Sequence, residues 1–307
     1  MKSFCVILVM VLSGCGGSPT EKKEPAASAT PAPTMASPNA EVPAKWTATE
    51  GIDTPESVFV DSASGFIFSS QIVGMPGERD GNGRIVKLSS DGKVIDANWV
   101  KGLNAPKGLR STNGTLWTAD IDEVIGIEIA TAKVGPRIKI QGAQFLNDVA
   151  AGADGTVYVT DMMGNKIYAI KNGKASIFAE GEDLEYPNGI LAENDRLVVG
   201  GWGKPEADFT TKVPGHLFTL DLKTKKKTLI TPNPTANIDG LESDGKGGYI
   251  VTDYIAGKLL HITANGDVHM LKQFKPGTAD IAFVPAENLV IIPHMNENKI
   301  AAYNISQ

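Results

Sequence analysis

Six polar side chains recur at one position of a repeated sequence pattern, and they are the residues best suited to chemistry. Each stands near the start of a predicted strand, at successive spacings of 51, 40, 41, 51 and 41 residues. The set is Glu56, Lys107, Asn147, Asn188, Asp239 and Asp280. Because a buried polar group without a partner costs roughly 1–3 kcal/mol, a shared role is expected for them.

Four of these residues predict a calcium site. Glu56 and Asp239 offer two carboxylates, which balance the charge of a divalent cation, and Asn147 and Asn188 add amide oxygens. Calcium accepts about six to eight oxygen ligands, so four protein groups leave positions for water and a substrate. No His or Cys occurs at the repeated position, which argues against zinc. An open position on calcium can polarise a carbonyl or phosphoryl oxygen and orient an attacking water.

Lys107 permits a second interpretation of the same ring of residues. Its ammonium would repel a cation if it pointed inward, or it would pair with Glu56 or Asp280 and leave the ring without a metal. Asp148 either orients a water molecule beside the metal or pairs with Lys107. If a metal binds, we predict that Lys107, Asp148 and Asp280 contact the substrate together with Trp202.

A second set of residues ends the strand that follows each repeated polar residue. Its members are Gln71, Asp120, Asp161, Trp202, Asp253 and His294. The three Asp residues are interpreted as turn caps that accept nearby backbone N–H groups. His294 lies on the predicted rim, where an imidazole acts as a general base or acid, or simply hydrogen-bonds within its loop. Trp202 either forms the floor of a substrate pocket or caps the fourth repeat.

The strands that position these residues form six copies of one antiparallel unit. Residues 145–171 show it best, with apolar runs of period two separated by Gly, Asp and Asn turns. One such sheet cannot bury its faces alone, so repetition every ~40–50 residues predicts an all-β six-bladed β-propeller with four-stranded antiparallel blades. Insertions at 73–83 and 203–215 lengthen two repeats. The last copy has three strands, and we predict that residues 45–49 supply the fourth and close the ring.

Composition narrows the function classes. The chain has 307 residues with 33 Gly and 18 Pro, which suits many short strands and turns. A formal net charge of −6 and the lack of a basic patch argue against a nucleic-acid surface. The basic run at 223–227 is expected in a solvated hairpin turn. Patterns for a serine nucleophile elbow or a phosphate-binding loop are absent, and we expect a monomer that acts on a small molecule.

The amino terminus predicts export. Residues 1–14 contain Lys2, an apolar run and small residues before Cys15, which is typical of a secretory signal. The end of this segment resembles the bacterial lipobox, which implies that Cys15 carries a lipid anchor in the cell envelope; an ordinary signal peptide is the alternative. Gly16 rather than Asp favours the outer membrane by the same resemblance. Residues 15–44 predict a disordered tether and residues 45–307 the propeller, whose mature chain has no disulfide because Cys5 leaves with the signal.

Four short motifs over residues 46–307 resemble the senescence marker protein/gluconolactonase family. They are Pro55-Glu56, Asn147-Asp148, Pro187-Asn188-Gly189 and Asp239-Gly240. The resemblance implies a divalent metal held by Glu56, Asn188 and Asp239, joined by Asn147 as in relatives of the family. It also implies that Asp239 activates water or attacks the substrate. The sugar lactonases of the family carry Arg two positions before the third-repeat Asn, where this chain has Phe145.

The predicted function is calcium-dependent hydrolysis of a small ester, lactone or phosphoester, with Asp239 or His294 activating water. The alternative is a non-catalytic propeller that binds a peptide, glycan or small molecule, with a purely structural polar ring. Propellers host both roles, so the fold alone does not decide between them.

Overall fold

The computed structural model describes residues 43–305, which form six four-stranded antiparallel sheets arranged as the blades of a ring. Within those residues there is no α-helix, and no helix is long and apolar enough to cross a membrane. The six-bladed β-propeller predicted from the repeat is therefore confirmed. The predicted signal segment and the lipidated Cys15 lie outside the described residues, as does nearly all of the tether, and these stay predictions.

In the first five blades the strands follow one another in chain order from the innermost to the outermost. Blades one and two contain β2 (Pro55–Asp61), β3 (Phe66–Gln71), β4 (Gly83–Leu88), β5 (Val94–Leu103), β6 (Pro106–Thr112), β7 (Thr115–Asp120), β8 (Glu123–Glu128) and β9 (Lys133–Lys139). Blades three and four contain β10 (Leu146–Ala151), β11 (Val157–Asp161), β12 (Lys166–Lys171), β13 (Lys174–Glu180), β14 (Pro187–Ala192), β15 (Arg196–Gly201), β16 (Leu217–Asp221) and β17 (Lys227–Leu229). Blade five contains β18 (Ile238–Ser243), β19 (Tyr249–Asp253), β20 (Lys258–Ile262) and β21 (Val268–Gln273). Short 3-10 turns occur at Glu182–Leu184, Pro285–Glu287 and Met295–Glu297.

Blade six joins the two ends of the propeller. It consists of β22 (Ala282–Val284), β23 (Leu289–His294) and β24 (Lys299–Asn304), with β1 (Trp46–Ala48) as its outermost strand. β1 pairs antiparallel with β24, with Trp46 opposite Ala302. The innermost edges of blades one and six are also linked, because the Asp280 N–H donates to the Glu56 carbonyl at 3.0 Å. The predicted closure of the ring by the first strand is confirmed.

The hydrophobic core lies between the blades. Each of six buried clusters combines apolar side chains from two neighbouring blades. Apolar side chains of one strand pack against both neighbouring blades, because successive side chains point to opposite faces of a sheet. In β3, for example, Ile67 packs in the cluster shared with blade six and Phe68 in the cluster shared with blade two. Six sheets that each bury both faces explain why a single blade has no independent core.

A β-bulge marks the repeated polar position in the first five blades. The pairing register of the two innermost strands shifts at each position, as between Leu146 and Val149 in blade three. A bulge bends the strand and redirects its side chain, here at the end nearest the axis. In three blades a hydroxyl on the second strand accepts the N–H that the bulge leaves unpaired, as when Gly240 donates to Thr252 Oγ1 at 2.7 Å. This device holds the polar side chains in place.

Candidate functional site

One cavity of about 230 Å³ collects five of the six repeated residues. Glu56, Lys107, Asn147, Asn188 and Asp239 line it, each from the second position of the innermost strand of its blade. We call Glu56, Asn147, Asn188 and Asp239 the oxygen floor. They come from blades one, three, four and five, so only the ring geometry brings them together.

Buried oxygen atoms of the oxygen floor lack hydrogen-bond donors. Glu56 Oε2, Asn188 Oδ1 and Asp239 Oδ1 have no partner within residues 43–305, and neither does Oδ1 of the adjacent Asp280. Buried acceptors are almost always paired, so several unpaired ones together need an explanation. A hard cation satisfies such a donor set, because it takes carboxylate and amide oxygens. No three His, Cys, Asp or Glu side chains in the described chain are arranged to hold a metal; the oxygen floor differs because two of its members are Asn.

The carboxyl groups at the cavity repel one another. Burial raises the pKa of Glu56 well above its ordinary value, and Asp239 and Asp280 raise it further. Burial likewise raises the pKa of Asp239, followed by the charge of Asp280. Two neighbouring carboxylates away from water are costly without a counter-charge. A divalent cation would supply that charge, so the residues present fit calcium.

Lys107 is buried at the cavity but does not form an ion pair there. Its Nζ donates to the carbonyls of Pro76 and Ala105, both at 3.0 Å, and lies 4.7 Å from the ring centre of Phe145. Burial lowers its pKa to about 8, while Glu56 and Asp120 act in the opposite direction. The hydrogen bonds therefore run to carbonyls and not to Glu56 or Asp280, the pairing considered from the sequence. Two carbonyls leave one N–H of the ammonium for another acceptor.

Asp148 and Asp280 are buried next to the cavity, but neither is among the residues that the described chain contributes to its lining. Asp148 accepts the N–H groups of Val149 at 2.7 Å and Ile190 at 2.9 Å, so its contacts are to the backbone rather than to Lys107. Burial raises its pKa to about 7 against the lowering effect of Arg110. Asp280 Oδ2 accepts the Ser57 hydroxyl at 2.6 Å. Both residues support the innermost strands, and their contact with a substrate stays a prediction.

An ion pair that the sequence analysis missed spans the tunnel. Arg110 of blade two contacts Glu242 of blade five at 2.7 Å, and these blades stand opposite each other in the ring. Both residues are the fifth of their innermost strands, three positions after Lys107 and Asp239. The same register argument, applied three residues further along, would have found this pair. It joins opposite blades three residues beyond the oxygen floor.

Aromatic and apolar side chains surround the oxygen floor. We call Phe145, Trp202, Phe209 and Tyr254 the aromatic wall; Ile72, Pro76, Met162, Ile255 and Met295 complete the apolar lining. Trp202 Nε1 donates to the Phe209 carbonyl at 3.0 Å, so its ring presents an apolar surface. The rings of Phe145 and Phe209 are 5.8 Å apart.

The two predicted insertions reach this cavity. Pro76 belongs to the segment between β3 and β4, and Asp208 and Phe209 to the segment between β15 and β16. Sequence reasoning named both insertions but not their position over the oxygen floor. Of the aromatic wall it named Trp202 and noted Phe145, and it missed Phe209 and Tyr254. The sequence did hold a signal for Tyr254, because it directly follows Asp253, a member of the second set of residues that end strands.

His294 ends β23 as predicted, but its side chain is only 2% exposed and does not line the cavity among the residues the structure describes. Its Nε2 lies 3.1 Å from the Tyr303 hydroxyl, and its ring packs 5.0 Å from that of Phe274. Burial, followed by the charge of Lys299, lowers its pKa to about 4. A neutral imidazole held in this way fits the loop-bonding interpretation, and its neighbour Met295 faces the cavity instead.

The Asp residues of the second set act as the turn caps that were expected. Asp120 accepts the N–H groups of Asn104 at 2.9 Å and Ala105 at 2.7 Å. Asp161 accepts the Phe145 N–H at 2.7 Å, and Asp253 accepts that of Ala256 at 3.0 Å. These carboxylates fix the segments that enter the innermost strands, so they position the site without facing it.

Comparison with known proteins was made by sequence and by structure. No family model matches the chain, and no curated protein matches it by sequence. Among solved structures, a gluconolactonase from Xanthomonas campestris is 14% identical with a TM-score of 0.61, covering 82% of this chain and 86% of its own. A catalytically inactive virginiamycin B lyase from Staphylococcus aureus with quinupristin is 15% identical with a TM-score of 0.59, covering 85% and 98%. A streptogramin B lyase is 14% identical with a TM-score of 0.56, covering 83% and 95%. At these identities the likeness concerns the fold, a β-propeller that this chain shares with a gluconolactonase and with lyases.

Proposed function

We propose that this protein is a calcium-dependent hydrolase of a small ester or lactone, with phosphoesters as the third candidate class, and that it belongs to the senescence marker protein/gluconolactonase group. One observation carries the proposal. Three residues of the oxygen floor, Glu56, Asn188 and Asp239, each hold a buried oxygen without a hydrogen-bond partner in the described chain, at a single cavity. The gluconolactonase among the structural neighbours supports the reaction class.

The side chains at the cavity have separate roles in the proposed hydrolysis. Glu56, Asn147, Asn188 and Asp239 would hold the ion, which when bound supplies a Lewis acid for a carbonyl or phosphoryl oxygen. Asp239 accepts a proton from the attacking water through the carboxylate oxygen that does not hold the ion, the role that the family resemblance implies. The remaining N–H of Lys107 donates to an oxygen of the substrate. His294 has no part in this scheme because it is buried away from the cavity lining.

The lining favours a small apolar substrate. Outside the oxygen floor, the polar groups of the lining within the described chain are Lys107, Asp208 and the hydroxyl of Tyr254, and the other side chains are aromatic or apolar. A polyhydroxylated lactone would bury several hydroxyl groups without partners, and each would cost roughly 1–3 kcal/mol. We therefore expect short alkyl or aryl esters and lactones to react faster than sugar lactones.

Calcium binding provides the first test. Addition of calcium to EDTA-treated protein should raise the melting temperature, since a ligand at 100 times its Kd stabilises the folded state by about 2.7 kcal/mol. The variant Asp239→Asn should lose most of this shift and the hydrolysis of an ester and lactone panel. Asp154→Asn, a hairpin carboxylate that is 57% exposed, is the matched control and should retain both. A melting temperature that does not change with calcium, together with no hydrolysis of any panel member, would instead support a non-catalytic binding propeller.

We also propose that the propeller is tethered to the bacterial envelope, with the outer membrane favoured, through a lipid on Cys15. The support is the sequence of residues 1–16 alone. Replacement Cys15→Ala should move the protein from the membrane fraction to the soluble fraction. Retention of the variant in the membrane fraction would contradict the anchor.

A further inference from the structure

Tyr254 occupies the cavity in a fixed position. Directly after β19, its N–H donates to the Asn237 carbonyl at 3.1 Å, and its carbonyl accepts the Gly277 N–H at 2.9 Å. Its ring lies 5.7 Å from that of Trp202, and both rings line the cavity beside Asp239. Two backbone hydrogen bonds and a packed aromatic partner therefore hold the phenol in one place, as a catalytic group requires.

Among the residues that the structure describes, the Tyr254 hydroxyl has only a weak acceptor. It donates to the thioether sulfur of Met295 at 3.3 Å. Sulfur in a thioether is a poor acceptor, so a substrate oxygen can replace it at little cost. Tyr249, at the start of the same strand, shows the ordinary arrangement, because its hydroxyl donates to the Glu193 carboxylate at 3.0 Å. The contrast indicates that the Tyr254 O–H is kept available at the cavity.

The Tyr254 hydroxyl stays protonated in the physiological range, because the ordinary pKa of a tyrosine is about 10 and burial raises it further. Burial, followed by the carboxyl groups of Asp239 and Glu56, raises the pKa of Tyr254 to about 12. The group is therefore a neutral hydrogen-bond donor throughout the physiological range. A donor placed beside two carboxyl groups stabilises negative charge that develops on a nearby oxygen.

We propose that Tyr254 is a catalytic hydrogen-bond donor to the leaving oxygen of the bound ester or lactone. This inference rests on the proposed hydrolase function. In this arrangement the carbonyl oxygen of the substrate lies at the oxygen floor. Tyr254 belongs to the aromatic wall, so its hydroxyl donates to the other substrate oxygen that gains charge, which is the leaving oxygen. Water forms the new bond to the acyl carbon, and the acyl–oxygen bond breaks with its electron pair on the leaving oxygen. That oxygen ends with a proton that came from the water, and Tyr254 is neutral before and after the reaction.

Leaving-group dependence tests this role. The variant Tyr254→Phe should be assayed on 4-nitrophenyl, phenyl and ethyl esters of one short acid. The kcat/KM of the 4-nitrophenyl ester should fall by less than about 3-fold, because its leaving oxygen needs little stabilisation, and that of the ethyl ester by about 100-fold or more. Tyr249→Phe is the matched control, because it removes a hydroxyl from the same strand away from the cavity, and it should leave this dependence unchanged.

The outcomes separate the two proposals. An equal loss on all three esters would give Tyr254 a packing role and overturn the inference, while the hydrolase function would stand. If the unaltered protein hydrolyses none of the three in calcium, both proposals fail. The calcium-induced melting shift of Tyr254→Phe reports folding independently of activity. If that variant is unstable, 3-fluorotyrosine at position 254 keeps the shape of the side chain and makes its hydroxyl a stronger donor. Hydrolysis of the ethyl ester should then speed up more than hydrolysis of the 4-nitrophenyl ester.

Discussion

At the scale of single residues, the tunnel contains two chemically different layers. Within residues 43–305, the oxygen floor holds acceptors without donors, whereas three residues further along Arg110 Nη1 pairs with Glu242 Oε1 at 2.7 Å. The first layer is where we propose that calcium binds, because three of its oxygen atoms lack a donor within residues 43–305. The second layer has its own counter-charge.

Breaking the tunnel ion pair should destabilise the protein strongly. The side chains of Arg110 and Glu242 are 13% and 15% exposed, so Arg110→Met leaves a buried carboxylate without a partner. We expect a loss of about 3–5 kcal/mol in the free energy of unfolding, measured by urea denaturation. The double variant Arg110→Met/Glu242→Leu should recover part of the loss, because the Glu242 carboxylate is gone while Asp148 and Asp280 still lose the charge of Arg110. Equal destabilisation of the single and double variants would show that packing, not charge, accounts for the effect.

The sequence predicted the gathered residues because they repeat. Glu56, Asn147 and Asn188 recur with the strand pattern, so their positions around the cavity follow once the ring is assumed. It did not predict Tyr254 in the cavity, because the strand-ending residue Asp253 was considered and the residue that follows it was not. The hydrogen bonds of Lys107 were also beyond prediction, because one acceptor is Pro76, in a loop 31 residues away with no regular pattern.

At the scale of elements, the bulges connect strand pairing with the site. Each places the repeated side chain beside the axis, and a hydroxyl from the next strand compensates for the lost ladder bond in three blades. Sequence patterns gave the strands and their order correctly. They did not reveal the bulges, because a register shift of one residue leaves the alternation of apolar residues on either side nearly intact.

Removing one of these hydroxyls should affect both stability and calcium binding. Thr252 Oγ1 accepts the Gly240 N–H at 2.7 Å and donates to the Ala279 carbonyl at 2.9 Å. Thr252→Val keeps the shape but leaves two buried groups unpaired, so we expect a loss of about 1–3 kcal/mol in denaturation. The calcium-induced melting shift should also shrink, because Asp239 precedes the released N–H. Thr219→Val, whose hydroxyl makes only a 3.4 Å contact, is the control; an equal effect there would argue against the bulge as the cause.

Deleting residues 45–49 should lower the melting temperature sharply. The deletion removes β1, exposes the β24 edge and withdraws Trp46 and Ala48 from the cluster between blades six and one. A chain that starts at residue 43 serves as the control and should melt like the full chain. An unchanged melt of the deleted protein would show that β1 contributes little to closure.

At the scale of the whole molecule, the proposed calcium site would make stability depend on pH and calcium together. Without metal, the raised pKa values of Glu56, Asp239 and Asp280 mean that the folded chain binds more protons than the unfolded chain above about pH 4. Asp148, whose pKa is raised to about 7, also makes the folded chain bind more protons than the unfolded chain. His294, whose pKa is lowered to about 4, has the opposite effect on proton binding. Four carboxyl groups outweigh one imidazole.

The metal-free protein should therefore lose stability as the pH rises from 5 to 7.5. Lys107, with its pKa lowered to about 8, returns part of that stability only above pH 8, where the unfolded chain binds the extra proton. The stabilisation by calcium should increase over the same range, because binding displaces protons from the carboxyl groups. Melting curves at both pH values, with calcium and with EDTA, measure this. A calcium effect that is equal at pH 5 and 7.5 would contradict the raised pKa values.

Ring closure also sets an order of events during protein synthesis. The ribosome makes β1 before any blade, but its partner β24 emerges last, after β22 and β23. Until then β1 has no strand to pair with, and blade one lacks its neighbour on one side. Translation that stops after blade five would release a chain with an open gap and two uncovered apolar sheet faces, on blades one and five, which is prone to aggregation. The propeller thus completes its fold only once β1 and β24 are both available. A truncated product therefore gains little stability from the blades that it already contains.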